Sequence, residues 1–243
     1  MPVMLELVLV ATATTFATGL GVIPVAVLGE RAEALRGGLL GVAAGVMAVA
    51  AVVGLLLPAL DEGSGGEVTL GLVAGIAFLL VARHFIEEAP PTAIADGDRL
   101  WILVFLVLLV HSLPEGFAIG TAYASTTAGL GLFIVIAIAI QNVPEGTSTA
   151  IPMATAGYGL SRQFWAAVLT SVPQPIGAVI AYLLVEQIAA LLPVSFAFAG
   201  GAMLALVIVS VLPDALRERP RDALIGTFAG GAFMLAVGIV LGV

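Results

Sequence analysis

Apolar residues fill this chain in long runs, and polar residues gather in short stretches between them. A helix crosses the hydrocarbon core of a bilayer in about 20 residues, so runs near that length read as membrane spans. The pattern gives eight, at about 5–28, 37–60, 68–86, 100–123, 129–153, 164–185, 188–212 and 223–243. Backbone polar groups have no water to bond with inside lipid, so the expected fold is an all-α integral membrane protein. The connections are short, and residues 1–243 read as a single transmembrane domain with no soluble domain. The longest connection, 87–99 (EEAPPTAIADGDR), is polar and proline-bearing and reads as a flexible linker.

Composition supports this reading. The 243 residues are 61% hydrophobic and only 10% charged, with a mean hydropathy of +1.20, whereas soluble domains carry about a quarter charged residues. The opening segment holds Glu6 and no basic stretch, and reads as a first span rather than a cleaved signal peptide. Cysteine is absent, which excludes disulfides, thiolate metal sites and cysteine nucleophiles. A net charge of −8 argues against nucleic acid as a partner.

The basic residues set the direction of the chain. All eight are arginines: Arg31 and Arg36 between spans 1 and 2, Arg83 and Arg99 around the linker, Arg162 between spans 5 and 6, and Arg217, Arg219 and Arg221 between spans 7 and 8. Every one falls on the same side. Positive charge marks the cytoplasmic side, which puts both termini outside a plasma or inner membrane.

Internal similarity adds a second constraint. AGVMAVAAVVGLLLPAL (Ala44–Leu60) in span 2 resembles AGGAMLALVIVSVLPDAL (Ala199–Leu216) in span 7, and the two spans run in opposite directions. Similar segments of opposed direction mark an inverted repeat, here spans 1–3 and 6–8 around central spans 4 and 5.

Spans 4 and 5 carry the residues that the apolar pattern does not explain. HSLPEG (His111–Gly116) and QNVPEG (Gln141–Gly146) lie in mid-span, and Glu115 and Glu145 are the only acidic residues near the middle of any span. A charge at that depth costs about 2.5–3.5 kcal/mol on insertion scales. His111 and Glu115 are four residues apart, as are Gln141 and Glu145, so each pair shares one helix face. Facing each other, the two helices would offer an imidazole, an amide oxygen and two carboxylates to a common point. Those groups suit a divalent transition ion, whose charge would neutralise the glutamates. Pro114 and Pro144 cannot donate to the carbonyls of Val110 and Ile140, and Gly116 and Gly146 leave room beside each glutamate.

At these residues the chain resembles the ZIP family of divalent metal transporters. LLLPALDEG (Leu55–Gly63) and GGAMLALVIVSVLPDAL in span 7 are similar as well. The resemblance implies eight spans, outside termini, an inverted repeat and a metal site between spans 4 and 5 at His111, Glu115, Gln141 and Glu145. Many members add charged groups that build a two-metal centre. The corresponding places here hold Ser112, Asn142 and Gln174, and span 7 holds Val209 and Ser210 before its proline. A single bound metal is the expectation.

Two further polar groups stand outside this site. His84, Glu87 and Glu88 cluster at the cytoplasmic end of span 3, and Asp61, Glu62 and Glu67 lie outside after span 2. The first could serve as a transient exit site for metal, though a solvated helix end is the simpler reading; the second could attract cations at an entrance, though a polar loop needs no function to be acidic.

The expected function is a permease for a divalent metal ion, zinc first, with iron, manganese or cadmium open. Metal would enter the cytoplasm through a midplane site. No phosphate-binding G-x-x-x-x-G-K-[ST] loop occurs, so the ion gradient, the membrane potential or a proton would drive it. The metal ion would be cargo, with no cofactor, and lipid is the other partner. A homodimer stays open, and so does a non-transporting metal sensor or scaffold. An enzyme is disfavoured: H-E-x-x-H and cysteine are missing, and Ser112 diverges from its neighbour His111 on a helix.

Overall fold

The computed structural model describes residues 2–29, 31–87 and 99–243. Among these residues it contains eight helical spans: Val3–Leu28, Arg31–Glu62, Gly65–Ile86, Trp101–Ala124, Leu130–Thr155, Leu160–Gln187, Ala189–Glu218 and Pro220–Leu241. They are numbered 1 to 8 below. Most of the 87–99 linker lies outside the described residues.

Large apolar side chains such as Phe228, Ile239 and Val240 point outward, as a lipid-facing surface requires. The interior holds alanines and large apolar residues such as Phe133 and Phe196, together with buried polar residues that include Glu115, Gln141, Asn142, Glu145 and Gln174. Spans 2, 5 and 7 are the most enclosed, and spans 3 and 8 the least. Span 2 packs along span 8, span 3 along span 7, span 4 along span 6 and span 1 along span 5.

Spans 1 and 6, expected to be continuous, are both interrupted. Span 1 is a helix over Pro2–Gly19 and another over Val22–Leu28; span 6 divides into Leu160–Thr170 and Pro173–Gln187. Proline explains each break. Pro24 cannot donate to Leu20, and the amide of Ile23 turns back to that carbonyl at 2.9 Å. Pro173 cannot donate to Leu169, and Val172 bonds that carbonyl at 3.3 Å. The tightened turns satisfy the backbone and redirect the chain.

Spans 2 and 7 meet proline differently. Each widens into one π-helical turn, over Val52–Leu56 and Val207–Val211, and a leucine and a proline follow. In span 7 the side chain of Arg83 also donates to the Val209 carbonyl at 2.6 Å. Val209 lies four residues before Pro213, so the arginine supplies a donor that the proline lacks. Span 2 begins at Arg31, about six residues earlier than its apolar run, because the helix continues past the hydrophobic stretch.

Candidate metal centre

Spans 4 and 5 are unbroken helices through Pro114 and Pro144. Each motif glycine lets a neighbouring span close on the site. A Cβ on Gly116 would overlap the Gln174 carbonyl of span 6, and one on Gly146 would overlap the Thr18 carbonyl of span 1. The registers correspond. Gly177, three residues beyond Gln174, lies on the Leu113 carbonyl; Gly21, three beyond Thr18, lies on that of Val143.

Inside this four-span bundle, Glu115, Gln141, Asn142 and Gln174 are wholly buried, and His111 and Glu145 are 3% exposed. Gln141 donates its Nε2 to Glu115 Oε1 at 2.8 Å, which joins spans 4 and 5. Gln174 donates its Nε2 to Glu115 Oε2 at 2.6 Å. The carboxyl of Glu145 stands beside that of Glu115. Among the described residues neither carboxylate is paired with an arginine.

Three atoms are conspicuous for what they lack. Among the described residues nothing bonds His111 Nδ1, Gln141 Oε1 or Glu145 Oε1, although all three are buried. Such atoms cost about 1–3 kcal/mol each when left without a partner, and each is a metal-ligating type. Among the described residues no three histidine, aspartate or glutamate groups converge closely enough to hold a metal by themselves. The arrangement is a neighbouring pair of carboxyls with an amide bonded to one of them and an imidazole one helical turn before Glu115, short of a closed cage.

The less certain sequence candidates separate. Asn142 and Gln174 exchange amide bonds, each at 3.2 Å, and Asn142 Nδ2 also reaches the Thr14 carbonyl at 2.7 Å. Ser112 bonds the Leu108 carbonyl of its own helix at 3.0 Å. His84 is exposed beside Phe85; the side chain of Glu87 and all of Glu88 lie outside the described residues. Asp61 and Glu62 are exposed, while Glu67 accepts from Ser64 in a capping box at 2.7 and 2.8 Å.

Sequence reasoning missed span 1. Thr14 bonds Gln174 Oε1 at 3.0 Å, Thr15 bonds the Ser171 carbonyl at 3.1 Å, and Thr18 meets the Ser171 hydroxyl. The signal was the threonine-rich ATATTFAT within an apolar run.

The family model described as ZIP Zinc transporter matches residues 87–238, which include both glutamate motifs. The chain belongs to the ZIP zinc transporter family. Similar ZIP relatives include the zinc transporter GufA of Myxococcus xanthus, 32% identical over 93% of this chain and 95% of its own length. The zinc transporter ZIPB of Bordetella bronchiseptica is 33% identical over 93% of this chain and 78% of its own. A putative zinc transporter of Arabidopsis thaliana is 34% identical over 83% of this chain, but only 33% of that longer protein is covered.

Proposed function

We propose that this chain is a permease that carries a divalent cation, zinc first, into the cytoplasm through a site formed by His111, Glu115, Gln141 and Glu145. The observation that carries the reading is the neighbouring buried carboxyls of Glu115 and Glu145, with Glu145 Oε1, the Oε1 of Glu115's partner Gln141, and the Nδ1 of His111 one helical turn away all unpartnered. A dication would neutralise the two glutamates and give those atoms a partner. The chain spans membranes, as its family does, and names of relatives specify zinc.

Inward direction draws support from a cavity of about 840 Å³ among the ends of spans 1, 2, 5 and 6, whose lining includes Glu33, Thr155, Tyr158 and Gln163. The arginine distribution assigns that end to the cytoplasm and both termini to the outside. An inverted repeat is part of the same proposal. It is supported by the matched glycine registers of the 4–6 and 5–1 pairs and by the matched π turns of spans 2 and 7.

Zinc uptake into proteoliposomes loaded with a fluorescent zinc indicator tests the function. Wild type should fill the vesicles, and the Glu115→Ala, Glu145→Ala double variant should match protein-free vesicles. Uptake at the wild-type rate in the double variant would sink the site; zinc binding by wild type without uptake would point to a sensor.

A further inference from the structure

We propose that the seam between spans 3 and 7 binds one phospholipid, with its phosphate on Arg83 and His84 and an acyl chain in the crevice beyond them. The proposal does not depend on the metal site. Glycines bring the outer halves of the two spans together. A Cβ on Gly71 or Gly75 would overlap the carbonyl of Val194 or Phe198, and one on Gly201 would overlap that of Leu72. No glycine follows in either span, through Ile86 or through Glu218. Side chains hold the helices apart from there on, and two cavities lie along the seam, meeting at Leu80 and Val209.

The first cavity, of about 320 Å³, has only apolar side chains in its lining, among them Leu56, Leu72, Ile76 and Leu204. Its surroundings say what fills it. Leu80 and Ile208 on its rim are 44% and 66% exposed, and on a spanning helix such exposure meets hydrocarbon. An empty crevice would forfeit dispersion contacts along its walls, and an acyl chain supplies them. The length agrees as well. Leu72 and Arg83 are about 16 Å apart along span 3 at a rise of 1.5 Å per residue, and one leaflet of hydrocarbon is about 15 Å thick.

The second cavity, also of about 320 Å³, is bounded by Arg83 and His84, at the end that the arginines assign to the cytoplasm. Arg83 gives one N–H to the Val209 carbonyl at 2.6 Å. A guanidinium has five such donors, and a neutral carbonyl does not cancel its charge. That bond also holds the side chain at the junction of the two cavities, where the headgroup of a lipid in the crevice would lie. Basic pockets between spans on the cytoplasmic side suit lipid headgroups. Glu87 and Glu88 follow in the sequence, so the match is to a single phosphodiester rather than to a polyanionic headgroup.

Native mass spectrometry of the full-length protein, purified free of lipid and titrated with phosphatidylglycerol, tests this. The first lipid should bind wild type more tightly than those that follow. Arg83→Gln keeps an amide donor and removes the charge, and should weaken that first step about fivefold, the weight of one arginine beside anionic lipid. Leu80→Trp crowds both cavities and should weaken it too; it carries the test if Arg83→Gln does not fold. Diacylglycerol with the same chains should bind less tightly, and inorganic phosphate should not displace the lipid. Equal first-step affinity in wild type and the folded variants would overturn the site. Displacement by inorganic phosphate, which marks a free-anion site, would overturn it as well, and so would diacylglycerol binding as tight as that of phosphatidylglycerol.

Discussion

The hydroxyls of Thr18 and Ser171 meet at 2.6 Å, and so tie the interruption of span 1 to that of span 6. Ser171 lies in its break, and Thr18 just precedes the other. Thr18→Val should therefore loosen two spans at once. Buried side-chain hydrogen bonds in membrane proteins are worth about 0.6 kcal/mol on average and up to about 1.7. The expected loss lies near the upper end, because Ser171 is left without that partner. Unfolding in a graded denaturing detergent would measure it; a loss indistinguishable from zero would show that the breaks are held by backbone packing alone.

Gly146→Ala tests that packing directly. Its new methyl group would collide with the Thr18 carbonyl, a backbone atom that cannot swing aside. Span 1 must separate from span 5, and overpacking of this kind costs about 1–3 kcal/mol or more. Both thermal stability and zinc uptake should fall. Gly65→Ala, where the added carbon has nothing within 4 Å, should leave both intact.

Arg83 offers a double-mutant cycle. Arg83→Ala removes the donor to the Val209 carbonyl, and a hydrogen bond to a charged group is worth about 1.5–3 kcal/mol. Pro213→Ala restores a backbone N–H four residues beyond that carbonyl. The double variant should then lose less stability than the sum of the singles. Strict additivity, measured by equilibrium unfolding, would mean that the arginine does not compensate for the proline.

Protons should compete with metal at the centre. At the proposed site, metal binding would require His111 neutral and both Glu115 and Glu145 ionised. Zinc affinity should therefore fall as pH is lowered from about 8 to about 5, because protons compete with the cation for the two carboxylates. His111→Ala should weaken zinc binding and leave this pH dependence in place. Since neighbouring groups titrate together, the midpoints belong to the cluster. Titration calorimetry in buffers of different ionisation enthalpy would count the protons released; zero release at pH 6 would argue against these ligands.

The eight spans were legible because twenty apolar residues in a row have one economical use, and the chain has eight such stretches. The facing of spans 4 and 5 was legible for a different reason: Glu115 and Gln141 are expensive to place in lipid apart, and the structure bonds them together. The breaks were not. Pro24, Pro114, Pro144 and Pro173 are all visible in the sequence, yet only the first and last interrupt a helix. Which prolines break depends on neighbouring spans, and local sequence does not contain them. Thr14 went unread because threonine commonly bonds its own helix, as Thr15 does to Ala11. Its link to Gln174 spans 160 positions. The early start of span 2 was hidden by Arg31 and Arg36, charges that suggest a loop and here ride on a helix.

The direction of the Asn142 and Gln174 amides traces to one main-chain oxygen, that of Thr14. Every residue brings such an oxygen, so position 14 could change its side chain and still face Asn142 with the same acceptor. Variation along span 1 would then look permissive while the donors and acceptors of Asn142 and Gln174 stayed fixed. Alanine scanning would remove the threonine hydroxyl and leave this anchor untouched. Replacing the peptide bond between residues 14 and 15 with an ester would weaken that carbonyl; compared with an ester one residue later, which also removes one helical N–H, it would expose a dependence on the backbone that side-chain mutagenesis cannot see.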